Sequence, residues 1–260
     1  MIPNLLYKYI SANSGLEMLK NHNLQFTNAT MLNDPFDCHH KLIDFSNVPK
    51  EKCKIWSAEV ISKLESYQYE NLRKQAWVCS LSKTYNKLLM WCFYSGYDGI
   101  CIGIDKEKTK QYFSKILNEV YIGTQEMEVQ YKDLKDKPVF FRNYGITNLF
   151  QYQLSTKAKD WEYEQEVRLL LINPILDPQL LFVPEEQRKN DPIAVEEVRF
   201  RPPIGGECFN ELYLGVQTNK DKQEEIIDVA RSLNPEIKIF KMKEDPDAFR
   251  LNALPFCEKK

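Results

Sequence analysis

Hydrophobic and polar positions along the chain switch between two periods. The apolar and aromatic run NLLYKYI at residues 4–10 suits a first strand, and Ser11 or Asn13 is placed to cap a helix running through Leu19. LQFTN at 24–28 resumes a period of two, with Leu24 and Phe26 on one face. Residues 48–75 are polar, with Ile55, Trp56, Val60, Ile61 and Leu64 at helical spacing, which predicts one or two amphipathic helices covering a sheet. AWVCSL at 76–81 and ICIGID at 100–105 read as buried, central strands. Between them lie a short, almost wholly apolar helix at 86–94 and an SGYDG turn.

Residues 107–121 predict a surface helix and 128–131 a short strand, whereas 132–148, with Pro138 and Gly145, reads as a lid or an irregular insertion. Pro174, Pro178, Pro184, Pro192, Pro202 and Pro203 mark a long connection that contains an exposed strand at 195–200. ELYLG at 211–215, a helix over 221–233 and IKIFKM at 237–242 form a strand, helix, strand unit with a parallel crossover. Strands and helices mix without regular alternation. The expected architecture is therefore α+β, one domain over residues 1–260 with a central mixed or split β-sheet flanked by helices.

The segment KAKDWEYEQEVRLLLI at 157–172 carries the densest candidate chemistry. Read as a strand, it places Glu162, Glu164, Glu166 and Arg168 on one face. Two readings follow: an edge strand whose acidic face is solvated and screened by Arg168 and nearby lysines, or a carboxylate pair at the mouth of a cleft. A second candidate segment is MLNDPFD at 31–37, where Asn33, Asp34 and Pro35 form a turn and Asp34 and Asp37 add acids; an ordinary Asx turn explains it equally well. Cys38, His39 and His40 follow, but adjacent histidines on an extended chain point to opposite sides and no ligand spacing accompanies them, so no metal site is expected.

Composition narrows the classes. A formal net charge of −2 argues against a broad basic surface for duplex DNA while leaving a local groove open. Fourteen Tyr and 14 Phe supply rings for core packing or for stacking on flat ligands. Seven scattered cysteines without a CxxC pair read as reduced thiols, and the absence of a long apolar stretch or a basic and apolar leader predicts a cytoplasmic protein without membrane contact. GxGxxG, GxxxxGK[ST], HExxH and GxSxG are all missing, which removes support for dinucleotide-fold, P-loop, zincin and hydrolase readings.

Four segments in order, LLYKY (5–9), LQFTNATMLNDPFD (24–37), VCSLS with LLMWCFYSGYDGICIGID (78–82 and 88–105) and KAKDWEYEQEVR (157–168), resemble a bacterial family catalogued as domain of unknown function 2971. A remoter resemblance, to ADP-ribosyltransferases, lies in the layout: a first strand with a polar residue, a helix, a second strand with polar and aromatic residues, and a late Glu-x-Glu. Those enzymes bind NAD in the cleft of a split sheet without a glycine fingerprint. The resemblance implies an ADP-ribosyltransferase-like fold, NAD as co-substrate and no metal. It also implies an acceptor that is nucleic acid or protein.

By the same resemblance, Lys8 stands where such enzymes usually carry His or Arg, so NAD phosphates would be held by Lys8 or by the flanking Tyr7 and Tyr9. Glu166 would stabilise the sugar cation that forms as nicotinamide leaves, and Glu164 would orient or deprotonate the acceptor. Trp91 or Tyr94 would stack on a ring of NAD, Asn33 and Asp34 would contact ribose or amide, and Arg168 would pair with Glu166. A toxin or phage-defence effector, with an antitoxin or regulatory protein as partner, is the biological setting implied. Two other classes stay open: a metal-dependent nuclease using Asp34, Asp37, Glu164 and Glu166 around magnesium, and a non-enzymatic ligand- or partner-binding module.

Overall fold

Apolar and aromatic residues around a single lysine make Leu5–Ile10 a strand, β1, which ends where the Ser11 hydroxyl accepts the Ser14 N–H and caps α1 (Ala12–Lys20). The computed structural model describes residues 2–46, 57–63, 73–117, 123–133, 137–140, 146–172 and 199–257. The further elements are β2 (Phe26–Asn28), α2 (Ala58–Lys63), β3 (Ala76–Ser82), α3 (Leu88–Met90), β4 (Ile100–Asp105), α4 (Lys106–Leu117), β5 (Gly123–Glu128), β6 (Gln130–Lys132) and α5 (Ile146–Ser155). They are followed by β7 (Thr156–Ala158), β8 (Glu166–Ile172), β9 (Arg199–Phe200), β10 (Phe209–Leu214), α6 (Lys220–Leu233), β11 (Lys238–Glu244) and β12 (Leu251–Pro255).

Among the described residues ten strands join in one mixed sheet that runs β12-β11-β10-β4-β1-β3-β2-β9, with β8 and β5 extending from β3. The α+β expectation holds, and β3 and β4 are central. The crossover from β10 through α6 to β11 is parallel, as its pattern indicated, while β12 adds an antiparallel strand that the proline in LNALP disguised.

The branch at β3 sets the geometry of everything below. Along one edge, β8 pairs with β3 over its whole length, from Ala76↔Ile172 to Ser82↔Glu166. The other edge is shared: β2 takes Trp77 and Val78 at one end, and β1 takes only Ser82 at the other. Between those contacts the sheet opens. Lys8 reaches across the opening, its Nζ donating to the Ser80 carbonyl at 3.0 Å.

Side chains alternate across the sheet. Trp77, Cys79, Leu81, Val167, Leu169 and Leu171 face a large cluster built with α1, α4 and α6, which holds Leu16, Leu19, Phe113, Ile226 and Ala230. The opposite face is covered in two separate pieces. Leu149, Phe150 and Leu154 of α5 pack on Ala76, Val78, Leu170 and Ile172, and Met90 and Trp91 pack on Tyr9, Cys101 and Tyr213. Ser80, Ser82, Glu166 and Arg168 belong to that second face, between the two pieces.

Several local expectations need correction. The helix expected at 107–121 is described over Lys106–Leu117, its remaining residues 118–121 lying outside the described residues; the strand at 128–131 is two strands, and α5 occupies part of the segment expected to be irregular. The apolar helix is α3 continued by a π-helical turn, Trp91–Ser95, closed by Gly96 with φ of 63°. Only β9 of the expected 195–200 strand falls within the described residues; residues 195–198, most of the proline-rich connection and most of 48–75 lie outside them. Among the described residues no helix is long and apolar enough to cross a membrane.

Candidate functional site

The acidic segment does not form the strand its period of two suggests. Lys159–Glu164 is a 3-10 helix, Gln165 takes left-handed backbone with φ of 47°, and β8 begins only at Glu166. Adjacent carboxylates on one strand face would repel; the turn instead sends Glu162 to solvent and folds Glu164 back beside Glu166. Nor is β8 a solvated edge, because it lies between β3 and β5 and every one of its residues is buried.

Five charged side chains meet there. Lys157, from β7, places Nζ 2.6 Å from Glu164 Oε2, 3.4 Å from Glu166 Oε2 and 3.9 Å from Asp37 Oδ2. Behind them the Arg168 guanidinium donates to Glu166 at 2.9 and 3.1 Å, to Asp37 Oδ2 at 2.7 Å and to the Leu154 carbonyl at 2.8 Å. None of the five is more than 7% exposed. Further contacts lock the acids in place. The Tyr94 hydroxyl donates to Glu164 Oε1, the Ser82 hydroxyl donates to the Glu164 carbonyl at 2.7 Å, and the Glu166 N–H donates to the Tyr131 hydroxyl at 2.7 Å.

The two glutamates are driven in opposite directions. Burial would push the Glu166 carboxyl up, but Arg168 and then Lys157 outweigh it and hold it down at about 2. Burial also pushes Glu164 up; Lys157 opposes this, yet the neighbouring Glu166 charge adds to burial and the net direction is upward. Lys157 is held above its ordinary value because Glu166, Glu164 and Asp37 overcome the opposing effect of burial. With both glutamates ionised, three carboxylates face two cations and the cluster carries one negative charge in excess.

The signs lead to a pH test. Glu166, depressed in the fold, stabilises it above the ordinary carboxylate range, and that contribution is lost as pH falls towards about 2. Glu164, raised in the fold, favours folding when protonated, and that contribution is lost as pH rises through its folded value. Glu164→Gln cannot ionise, so its stability relative to wild type should improve as pH is raised from about 4 to about 8, read by urea unfolding. Parallel stability curves would contradict the assignment.

A pocket of about 490 Å³, counted out to its open mouth, lies over the branch in the sheet. Tyr7, Lys8, Tyr9, Asn33, Tyr94, Glu164 and Glu166, all singled out from the sequence, line it together with Asp37, Ser80, Ser82, Met90 and Lys157. Three of the sequence candidates stand elsewhere. Trp91 is fully buried, its Nε1 donating to the Tyr85 carbonyl and its ring edge-on to Tyr9 at 5.4 Å, so it is core and offers no stacking face. Asp34 closes an Asx turn by accepting the Phe36 N–H at 2.9 Å. Arg168 sits behind Glu166 and positions it instead of lining the cavity.

Lys157, the hub of the cluster, is a site residue that no local pattern in the sequence marks. It lies seven and nine positions before the glutamates it joins, and only the 3-10 turn brings them together. Its proximity to Trp161, whose ring centroid is 4.8 Å from Nζ, follows from the same turn. Cys38, His39 and His40 form no metal cluster among the described residues. Residues 90–169, which span α3 to the start of β8, match the family model described as "Protein of unknown function (DUF2971)", in agreement with the resemblance read from the sequence. No curated protein and no solved structure matches the chain.

Proposed function

We propose that this pocket cleaves the N-glycosidic bond of a nicotinamide dinucleotide, as an NAD-dependent ADP-ribosyltransferase or NAD glycohydrolase. The observation that carries the reading is the pair of buried glutamates, held by one lysine and pushed apart in protonation, at the opening of a split sheet. Groups so separated are how one site supplies both a fixed charge and a titrating base. Departure of nicotinamide leaves an oxocarbenium-like ribose, and the single excess negative charge of the ionised cluster is what such a cation requires.

The geometry favours Glu164 over Glu166 as the group that acts on substrate. Both Glu166 oxygens are already engaged by Arg168, which neutralises it, whereas Glu164 is held by one lysine and one tyrosine hydroxyl and is the acid whose ionisation sets the cluster's charge. Glu166 then fixes Lys157, and Glu164 stabilises the cation and accepts a proton from the attacking group. Lys8 has no carboxylate partner among the described residues and stands in the pocket wall, where it suits a phosphate oxygen. Tyr7, Tyr9 and Tyr94 supply ring surface around it.

A magnesium-dependent nuclease is favoured less, because the Lys157 ammonium already holds the centre of the carboxylates a divalent ion would need. The two readings separate in a thermal-shift titration. NAD at about 100 times its dissociation constant should stabilise the fold by about 2.7 kcal/mol and raise the midpoint accordingly, with little change from magnesium. A shift with magnesium and none with saturating NAD would reverse the order.

A further inference from the structure

Tyr94 belongs to the π-helical turn Trp91–Ser95, lines the pocket, and donates its hydroxyl to Glu164 Oε1. The turn is firmly held. Trp91 is fully buried, its Nε1 donates to the Tyr85 carbonyl at 2.8 Å, and its own carbonyl accepts the Ser95 hydroxyl at 2.8 Å and the Tyr97 N–H at 3.1 Å. Turns of this kind are rare and are found frequently at functional sites. Here Trp91 stays in the core while Tyr94, three residues later, reaches the acid.

Glu164 is thereby gripped at both oxygens, by Lys157 on Oε2 at 2.6 Å and by Tyr94 on Oε1. An ionised carboxylate accepts at about four sites, so both oxygens keep room for a substrate group. Tyr94 stays a donor at every working pH, because burial, and then its bond to Glu164, push its own hydroxyl far above the ordinary value. Asn33, on the facing turn, engages the same hydroxyl, which is therefore oriented from both walls of the pocket.

We propose that Tyr94 is a positioning residue for Glu164, whose hydroxyl turns the carboxylate towards the pocket and stabilises its charged form. The inference rests on the reading above that Glu164 acts on NAD, and it gives the Tyr94 hydroxyl a role separate from the ring surface. Burial is the main reason the Glu164 carboxyl is raised, and Tyr94, together with Lys157, opposes it. Loss of the hydroxyl therefore leaves Glu164 protonated to higher pH. The other groups around Glu164 are Lys157 from β7, Glu166 and, behind it, Arg168 from β8, Asp37 from the 31–37 turn, Lys8 of β1 on the pocket wall, and the Tyr131 and Tyr163 hydroxyls. Tyr94→Phe removes none of them.

The test compares wild type, Tyr94→Phe, Glu164→Gln and the double variant by nicotinamide release from NAD between about pH 5 and about pH 9, with urea unfolding over the same range. Phenylalanine keeps the ring, so KM should change by less than about twofold, whereas the acid limb of kcat/KM should move up by about one unit. Release at the acid end should then fall about tenfold and recover at the alkaline end. Because Tyr94 acts through Glu164, adding Tyr94→Phe to Glu164→Gln should reduce release by less than about twofold further. The stability of Tyr94→Phe relative to wild type should decline as pH rises, since a carboxyl raised further in the fold loses more on ionising. An acid limb that stays in place, or a second fall of about tenfold in the double variant, would overturn the positioning role and leave the NAD reading standing. Parallel stability curves would overturn the link between Tyr94 and Glu164 whatever the substrate. No nicotinamide release by the wild type at any pH would overturn the NAD reading, and this inference with it.

Discussion

Arg168→Met is expected to lower the stability of the fold by about 3–5 kcal/mol. The guanidinium is fully buried and supplies hydrogen bonds to Glu166, Asp37 and the Leu154 carbonyl. Removing it leaves three buried carboxyl groups, Asp37, Glu164 and Glu166, with only Lys157 to compensate them, and an uncompensated buried charge costs far more than the intact pair contributes. For a chain of this size each kcal/mol moves the thermal midpoint by about 2–4 °C, so a fall of about 6–20 °C is expected in a calorimetric scan. Arg168→Lys retains the charge without the planar fork and should fall between the two. A midpoint within about 2 °C of wild type would mean that the cluster does not carry the tension its geometry implies.

The second large effect is on chemistry. Glu164→Gln should reduce NAD cleavage by about 100- to 10,000-fold, the range that loss of a positioned acid or base commonly produces. Glutamine keeps the size of the side chain and an acceptor for the Tyr94 hydroxyl, and Lys157 keeps Glu166 and Asp37, so the fold should persist. What disappears is the excess negative charge. The same change at Glu166 is a poorer probe, because it strips Arg168 of a partner and mixes a stability loss into any loss of activity.

Much of the framework was readable because continuous apolar runs and turn residues have few alternatives. AWVCSL and ICIGID could only be central strands, and the unit from β10 through α6 to β11 combined two short apolar strands with a well-capped amphipathic helix. The failures share a cause. In DWEYEQEVR, acids two apart imitate a strand, and nothing local reveals that Gln165 adopts a positive φ and reverses the chain. The resulting cluster depends on contacts from Asp37, Lys157 and Arg168, which only the tertiary fold assembles.

The site candidates divide along the same line. Lys8, Tyr7 and Tyr9 border the cavity because β1 touches β3 at a single residue pair, a property of the sheet that a pattern in one strand cannot express. Trp91, inside an apolar helix, has as its neighbours Tyr9 and the Tyr85 carbonyl, and packing claimed it. Asp34 obeyed ordinary turn chemistry, while Asp37, three residues later, joined the charged cluster. Both are buried, and what separates them is the partner each meets: a backbone N–H two residues on for Asp34, the Arg168 guanidinium for Asp37.

The most direct measurement is chromatographic quantification of nicotinamide released from NAD by purified wild type and by Glu164→Gln, at equal concentrations of folded protein. The account expects steady release by the wild type and a fall of at least about 100-fold in the variant. No release by a folded wild type that binds NAD, or equal release by both proteins, would contradict it.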